Sequence, residues 1–308
     1  MKKLYGILAV LLIGILAVYL GSPSLMFKYG SQAERTMSGL ETKSVQVDDH
    51  RVVYLEGGQG EKILLIHGFG GDKDNWTRFS RSLTSKYRVI ALDLPGFGES
   101  TRIQGQDYGW LSQTDRVHRF VEVLKLDKFH IAGNSMGGEI SGIYAAQHPD
   151  KVLSVCLIDA AGVNSPHKSE FLQEVDKGKN PLLVNSPDDF DRLLSFGFVN
   201  KPWMPGSFKK QMGLNAYEHK EFNAKIFADL NNDLNVLQPM LNKIEAPVLI
   251  MWGDKDRILD VSSVPVFEQG IKNHEQVIYK NVGHMPMLEI PTQAGQDYLN
   301  FIQKHSLK

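Results

Sequence analysis

A single cysteine, Cys156, in 308 residues leaves no partner for an internal disulfide. It falls in the apolar run Val152–Ile158, which reads as a buried strand, so packing accounts for it and a thiol nucleophile is not expected there. Excess charge is also missing. With 34 Lys and Arg against 35 Asp and Glu, the formal net charge is −1, which leaves no electrostatic footprint for nucleic acid. Internal repeats and low-complexity tracts are absent, which sets aside solenoids and disordered tails. What remains is a composition of 42% hydrophobic and 22% charged residues, enough to bury a sizeable core in one large domain or a domain with an insertion.

The first residues stand apart. Lys2 and Lys3 precede an uncharged apolar run over residues 4–20. As a helix it measures about 25 Å, slightly short of a ~30 Å hydrocarbon core. Residues 1–21 therefore read as a signal peptide or an uncleaved anchor. Tyr19, Leu20 and Pro23 sit awkwardly for cleavage near Gly21 and Ser22, which favours the anchor. No cysteine follows the run, so a lipoprotein anchor is excluded. The two lysines favour a cytoplasmic N-terminus with the body of the chain on the other side.

Residues 22–43 are polar and read as a linker or a short surface helix. Residues 44–47 and 51–55 alternate like a hairpin around Asp48-Asp49-His50. Short, fully apolar strands follow at 63–66, 88–92, 129–132, 152–158, 248–252 and 276–279, with helical patterns at 76–83, 112–124 and 136–147. Continuous apolar strands separated by amphipathic helices imply an α/β fold: a mostly parallel sheet covered by helices on both faces. The alternation breaks between residues 163 and 240, where helical pieces at 188–194 and 218–230 read as a helical cap inserted into a core formed by 44–162 and 241–308.

The chemistry concentrates at Gly133-Asn134-Ser135-Met136-Gly137-Gly138. Gly-x-Ser-x-Gly directly after an apolar strand and directly before a helix has the context of a nucleophile elbow. A serine hydroxyl needs a base. His284, after the final strand, occupies the place where a loop can carry it to the same end of the sheet. His118, His148, His274 and His305 read as surface residues. The acid that orients the base is expected after the preceding strand, in Gly253-Asp254-Lys255-Asp256. Asp256 is the choice, Asp254 reads as a turn residue, and Asp159, after an earlier strand, is a less favoured substitute. A tetrahedral intermediate needs backbone donors, expected from Met136 and from Phe69 in His67-Gly68-Phe69-Gly70-Gly71; each contributes about 3 kcal/mol to the barrier reduction. His67 reads as a structural hydrogen bonder.

His67-Gly68-Phe69-Gly70, Asp93-Leu94-Pro95-Gly96-Phe97-Gly98-Glu99-Ser100, Gly133 to Gly138, Trp252 to Asp256 and Gly283-His284 occur in the order of the α/β-hydrolase family, which the chain resembles over roughly residues 47–302. More closely it resembles bacterial lipases of the cold-adapted Moraxella lipase 3 type and the membrane-bound monoacylglycerol lipases of animals with an α/β-hydrolase domain. They share an N-terminal apolar anchor, a helical cap and an aspartate two residues before a short apolar run, here Asp256 before Ile258. The resemblance implies hydrolysis of acylglycerols through an acyl-enzyme, a lipid ester substrate, and no metal or organic cofactor. It implies a membrane partner through the N-terminal segment, at a bacterial inner membrane with the catalytic body in the periplasm, or secretion if the leader is cleaved. No obligate protein partner is evident. Within the cap, Phe190, Leu194, Phe198, Trp203 and Met204 are the candidate substrate-binding residues, with Leu193 and Phe196 adding apolar surface. Gly-Asn-Ser-Met-Gly-Gly also resembles hydrolases that cleave carbon–carbon bonds in aromatic ring-fission products, so that activity and short-chain carboxylesterase activity stay open as alternatives.

Overall fold

Eight strands make one sheet: β1 (Glu41–Val47), β2 (His50–Gly57), β3 (Lys62–Ile66), β4 (Arg88–Leu92), β5 (Phe129–Asn134), β6 (Val152–Ile158), β7 (Val248–Gly253) and β8 (His274–Tyr279). The structure, a computed structural model, describes residues 2–306, without the side chains of residues 2 and 18–20. Met1, Leu307 and Lys308, the outer ends of the expected leader and core segments, lie outside the described residues. Strand order is β1-β2-β4-β3-β5-β6-β7-β8, antiparallel at β1–β2 and β2–β4 and parallel from β4 through β8. This is the α/β architecture expected from the strand pattern.

Successive strand residues point to opposite faces, so a strand covered on both sides needs apolar residues at every position. Leu64, Ile66, Ile131, Leu157 and Ile250 face one core, and Ile63, Leu65, Ala132, Cys156 and Met251 face the other. The helices are α1 (Lys2–Gly21), α2 (Pro23–Met37), α3 (Thr77–Ser80), α4 (Trp110–Val123), α5 (Met136–Gln147), α6 (Glu170–Asp176), α7 (Asp189–Gly197), α8 (Gly206–Glu218), α9 (Lys220–Asn231), α10 (Val264–Gly270), α11 (Pro286–Glu289) and α12 (Pro291–Lys304). Side chains of α4, α5 and α10 close the first core, and those of α3 and α12 the second. Helices α6 to α9 lie between β6 and β7.

Two segments differ from the sequence reading. The helix expected at 76–83 is a 3-10 turn over Lys73–Trp76 followed by the single turn of α3, because Asp72 and Asn75 cap the segment reciprocally and start it three residues early. Residues 22–43 hold the fifteen-residue α2, the helix that is one of the two readings of this segment, and β1 begins three residues before the expected hairpin. Ser22 caps α2, accepting the Leu25 N–H, and Pro23 suits the first helical position. Two bidentate ion pairs then tie α2 to the loop and helix after β3. Arg35 donates to Asp74 at 2.7 and 2.5 Å, and Arg78 donates to Glu34 at 2.9 and 2.7 Å. Helix α1 leaves Leu4, Ile7, Val10 and Leu11 exposed. Among the described residues no helix is long and apolar enough to cross a membrane.

Candidate active site

β5 ends at Asn134 and α5 begins at Met136, so Ser135 alone makes the turn between them. Its backbone sits at φ +56° and ψ −119°, a conformation that costs a non-glycine residue on the order of 1–3 kcal/mol. Crowding around the turn imposes the flanking glycines. A Cβ on Gly133 would lie 2.0 Å from the Gly137 carbonyl oxygen, and one on Gly137 would lie 2.2 Å from that of Ile66. The strain is held by neighbours: the Ser135 N–H donates to Ile158 O at 3.0 Å, and its carbonyl accepts the Ala161 N–H at 3.1 Å.

The same end of the sheet receives the loops after β7 and β8. His284 Nδ1 donates to Asp256 Oδ2 at 2.7 Å, with both side chains buried. Asp256 Oδ1 accepts the N–H groups of Ile258 at 2.7 Å and Leu259 at 3.0 Å, which leaves Oδ2 to the imidazole. Asp254 accepts the Asn281 N–H at 2.7 Å and ties its own turn together. Among the described residues no hydrogen bond closes between Ser135 and His284, although both line one cavity; such contacts are often long before substrate binds.

Two residues that sequence reasoning passed over hold this arrangement. Asn134 Nδ2 donates to the carbonyls of Ile158 at 3.1 Å and His284 at 3.0 Å, joining the turn at Ser135 to the histidine loop. Glu289 accepts the N–H groups of Gly283, Val199 and Asn200 at 3.0, 3.2 and 2.7 Å, joining that loop to the inserted helices. The adjacency of Asn134 to Gly-x-Ser-x-Gly was a signal for the first; nothing local marked the second. His67 lies on the opposite side. Its Nδ1 donates to Gly68 O at 2.8 Å and its Nε2 accepts the Leu94 N–H at 3.0 Å, a pairing that requires the neutral ring. Burial lowers its pKa to about 4, in keeping with that tautomer and with a structural place.

The Phe69 and Met136 N–H groups have no backbone partner among the described residues, and Met136 opens α5, where the first N–H groups of a helix are free for an anion. Gly68 and Phe69 line the Ser135 cavity. This cavity of about 370 Å³ also takes in Phe190, Leu193, Leu194, Phe198, Trp203 and Met204. Phe196 is the exception. It turns away to pack with Phe171 and Ile258 under the Arg257 guanidinium, because its place on α7 is on the far side from Leu194 and Phe198. One wall was not foreseen at all: Met26, Phe27, Gly30, Ser31 and Glu34 of α2 line the same cavity, and Phe27 packs on Phe208 of α8 with ring centroids 4.7 Å apart.

Asp159, Asp256 and His284 each place one potential ligand atom within 4.8 Å of the others. The two oxygens of Asp256 already accept three N–H donors and the His284 Nδ1 is one of them, so this cluster is arranged around protons rather than around a cation.

The model of the α/β-hydrolase fold family matches residues 62–291. Lipase 1 of Psychrobacter immobilis is 37% identical over 276 residues, covering 88% of this chain and 86% of that protein. Human monoacylglycerol lipase ABHD6 is 29% identical over 311 residues, covering 96% of this chain and 92% of that protein. Among solved structures, a membrane phospholipase A described as a bacterial virulence factor is 45% identical, covers 99% of both chains and superposes with a TM-score of 0.91.

Proposed function

The chain belongs to the α/β-hydrolase fold family, and on that premise we propose that it cleaves the acyl esters of membrane glycerolipids through an acyl-enzyme on Ser135. The observation that carries this reading is the cavity. It is apolar along Phe27, Phe190, Leu194, Phe198 and Met204, and the strained serine and the aspartate-bound histidine lie in its wall. An acyl chain fills such a space, and its ester carbon reaches Ser135. Similarity to lipases, a monoacylglycerol lipase and a membrane phospholipase A supports the same substrate class.

In the first step His284 Nε2 takes the Ser135 proton as Oγ attacks the ester carbon. Asp256 holds the ring by Nδ1 and stabilises the imidazolium that forms. The oxyanion settles between the N–H groups of Phe69 and Met136. Collapse expels the glycerol oxygen, which takes the proton from His284. Water then attacks the acyl-enzyme by the same route in reverse and releases a fatty acid. Oδ1 of Asp256, occupied by two backbone N–H groups, keeps the carboxylate from turning away from the ring during both steps.

Helix α1 extends the reading to location. Its exposed Leu4, Ile7, Val10 and Leu11 seek an apolar medium, and α2 follows it directly. The proposed setting is a bacterial inner membrane, with the exposed apolar residues of α1 in lipid and the catalytic body beside it.

The test is hydrolysis of mono-, di- and triacylglycerols and of phosphatidyl lipids, from short to long chains, with Ser135→Ala as control. Long-chain glycerolipid turnover that falls by about 10⁴-fold or more in the variant is the expected result. Indifference to every acyl ester would overturn the reading and direct attention to ring-fission dienols.

A further inference from the structure

One buried acid has no part in the steps above. Asp159 follows β6 immediately, has no exposed surface and sits at φ +42°, a position few non-glycine residues adopt. Its Oδ1 accepts the Gly253 N–H at 2.9 Å and so grips the end of β7, three residues before Asp256. Its Oδ2 is buried and meets no N–H or hydroxyl donor among the described residues. What it does face is the buried carboxylate of Asp256: one oxygen of each acid lies within 4.8 Å of the other.

Two ionised carboxylates in contact away from water repel strongly, and a buried acceptor without a donor is itself unfavourable. A single proton between them removes both difficulties. We propose that Asp159 is the protonated member of a carboxyl–carboxylate pair, that its O–H donates to Asp256, and that it is thereby a positioning residue for the Asp256–His284 couple. This rests on the assignment of Asp256 and His284 to the reaction.

The surroundings favour the neutral form. Among the described residues, the titratable groups facing Asp159 are Asp256 from the loop after β7, the His284 ring from the loop after β8, Glu289 from α11, the Cys156 thiol from β6 and the Tyr279 phenol from β8. None is Lys or Arg, so no fixed cation balances a second negative charge. Burial first and Asp256 second push the Asp159 carboxyl well above the usual range.

The pair gives Asp256 a complete set of donors: the N–H groups of Ile258 and Leu259, the His284 ring and the Asp159 hydroxyl. It also sets the charge beside the imidazole at one rather than two. A second carboxylate charge there would hold His284 protonated and unable to act as base. During attack the proton moves only from Ser135 to His284, and the pair keeps its single charge throughout.

The experiment uses the full chain in detergent, with a soluble short-chain ester as substrate. Asp159→Asn replaces the neutral acid by an amide that still accepts from Gly253 and donates to Asp256. It is expected to keep kcat/KM within about twofold of the parent, with the acidic limb of the pH profile unmoved. Asp159→Ala, which has no donor, is expected to lose about tenfold in kcat with KM unchanged, and its acidic limb moves to higher pH as Asp256 carries its charge undispersed. If Asp159 is ionised instead, Asp159→Asn removes a negative charge near the ring and moves the limb about one unit to lower pH, which overturns the proposal. A second readout does not need turnover: the infrared carbonyl stretch of a protonated carboxyl in the parent protein, lost in Asp159→Asn. A parent-minus-Asp159→Asn difference spectrum without that band overturns the proposal while the ester activity stands. A parent with the band but no ester activity retires the proposed function and leaves the proton pair in place.

Discussion

Glu139 lies one helical turn beyond Ser135 on α5 and is buried, with its carboxylate accepting the Leu237 N–H at 3.3 Å where the chain returns from the inserted helices. Burial raises its pKa to about 8, and the backbone N–H groups where the chain returns only partly offset that. An unfolded glutamate titrates near ~4.3. Between those values the native chain holds a proton that the unfolded chain has released, so stability is full below the unfolded pKa, falls as pH rises through the window and levels off above about 8. Glu139→Gln keeps the shape and the acceptor oxygen and removes the titration. Urea unfolding at pH 5 and pH 8 is expected to show the variant gaining roughly 3.5 kcal/mol on the parent between the two conditions. Asp159 acts in the same direction but is present in both proteins, so it cancels in the comparison. Equal slopes for parent and variant would mean that Glu139 is ionised in the native chain.

At the scale of elements, α2 is the part whose function depends on partners far along the chain. Arg35 meets Asp74, Glu34 meets Arg78 and Phe27 meets Phe208, so its amphipathic face has no counterpart within its own neighbourhood. It forms a wall of the cavity, which on the proposed reading is where the acyl chain lies beyond its first carbons. Phe27→Ala is expected to lower kcat/KM for long-chain esters about tenfold, through lost apolar contact, and to leave short esters within about twofold. A chain-length series reads this directly; equal losses at every length would make α2 a brace rather than a wall. The same contrast explains what could be read in advance. Strands β3 to β7 announce themselves because burial on both faces makes them continuously apolar. Ser135, Asp256 and His284 can be placed by their order after β5, β7 and β8, and the structure brings them to one end of the sheet. Helices α6 and α8 leave no clear pattern, the first being short and the second interrupted by Gly213. Glu289 acts through backbone groups and leaves no trace in periodicity or motif, whereas Asp159 stands out in sequence only as an acid at the end of a strand, with nothing to pair it with Asp256. Phe196 differs from its apolar neighbours only by which side of α7 it occupies.

For the molecule as a whole, the proposed membrane setting turns on the relation between α1 and α2. Only Ser22 separates the two helices, and α2 is clamped to the body by its two arginine–carboxylate pairs. A lipid-embedded α1 would therefore fix the N-terminal end of α2 close to the bilayer, and that end carries Met26 and Phe27, which line the cavity. On this geometry an acyl chain enters from the membrane beside α2 rather than from water. Removing residues 1–21 leaves α2 and its clamps in place. The shortened protein is expected to stay off lipid vesicles in a flotation assay, to keep hydrolysis of a soluble short ester within about twofold, and to lose about tenfold or more on phosphatidyl lipid presented in vesicles, as the local concentration at the surface disappears. Tethering it to nickel-chelating vesicles through a C-terminal histidine tag then separates two roles. Full recovery of the vesicle rate would mean that α1 serves only to hold the enzyme at the surface in any orientation. Recovery of binding without recovery of rate would mean that α1 also aims the α2 side of the cavity at the lipid, which is the outcome the short Ser22 junction and the clamped α2 favour. Vesicle hydrolysis undiminished by the deletion would show that substrate reaches Ser135 without help from the N-terminal helix.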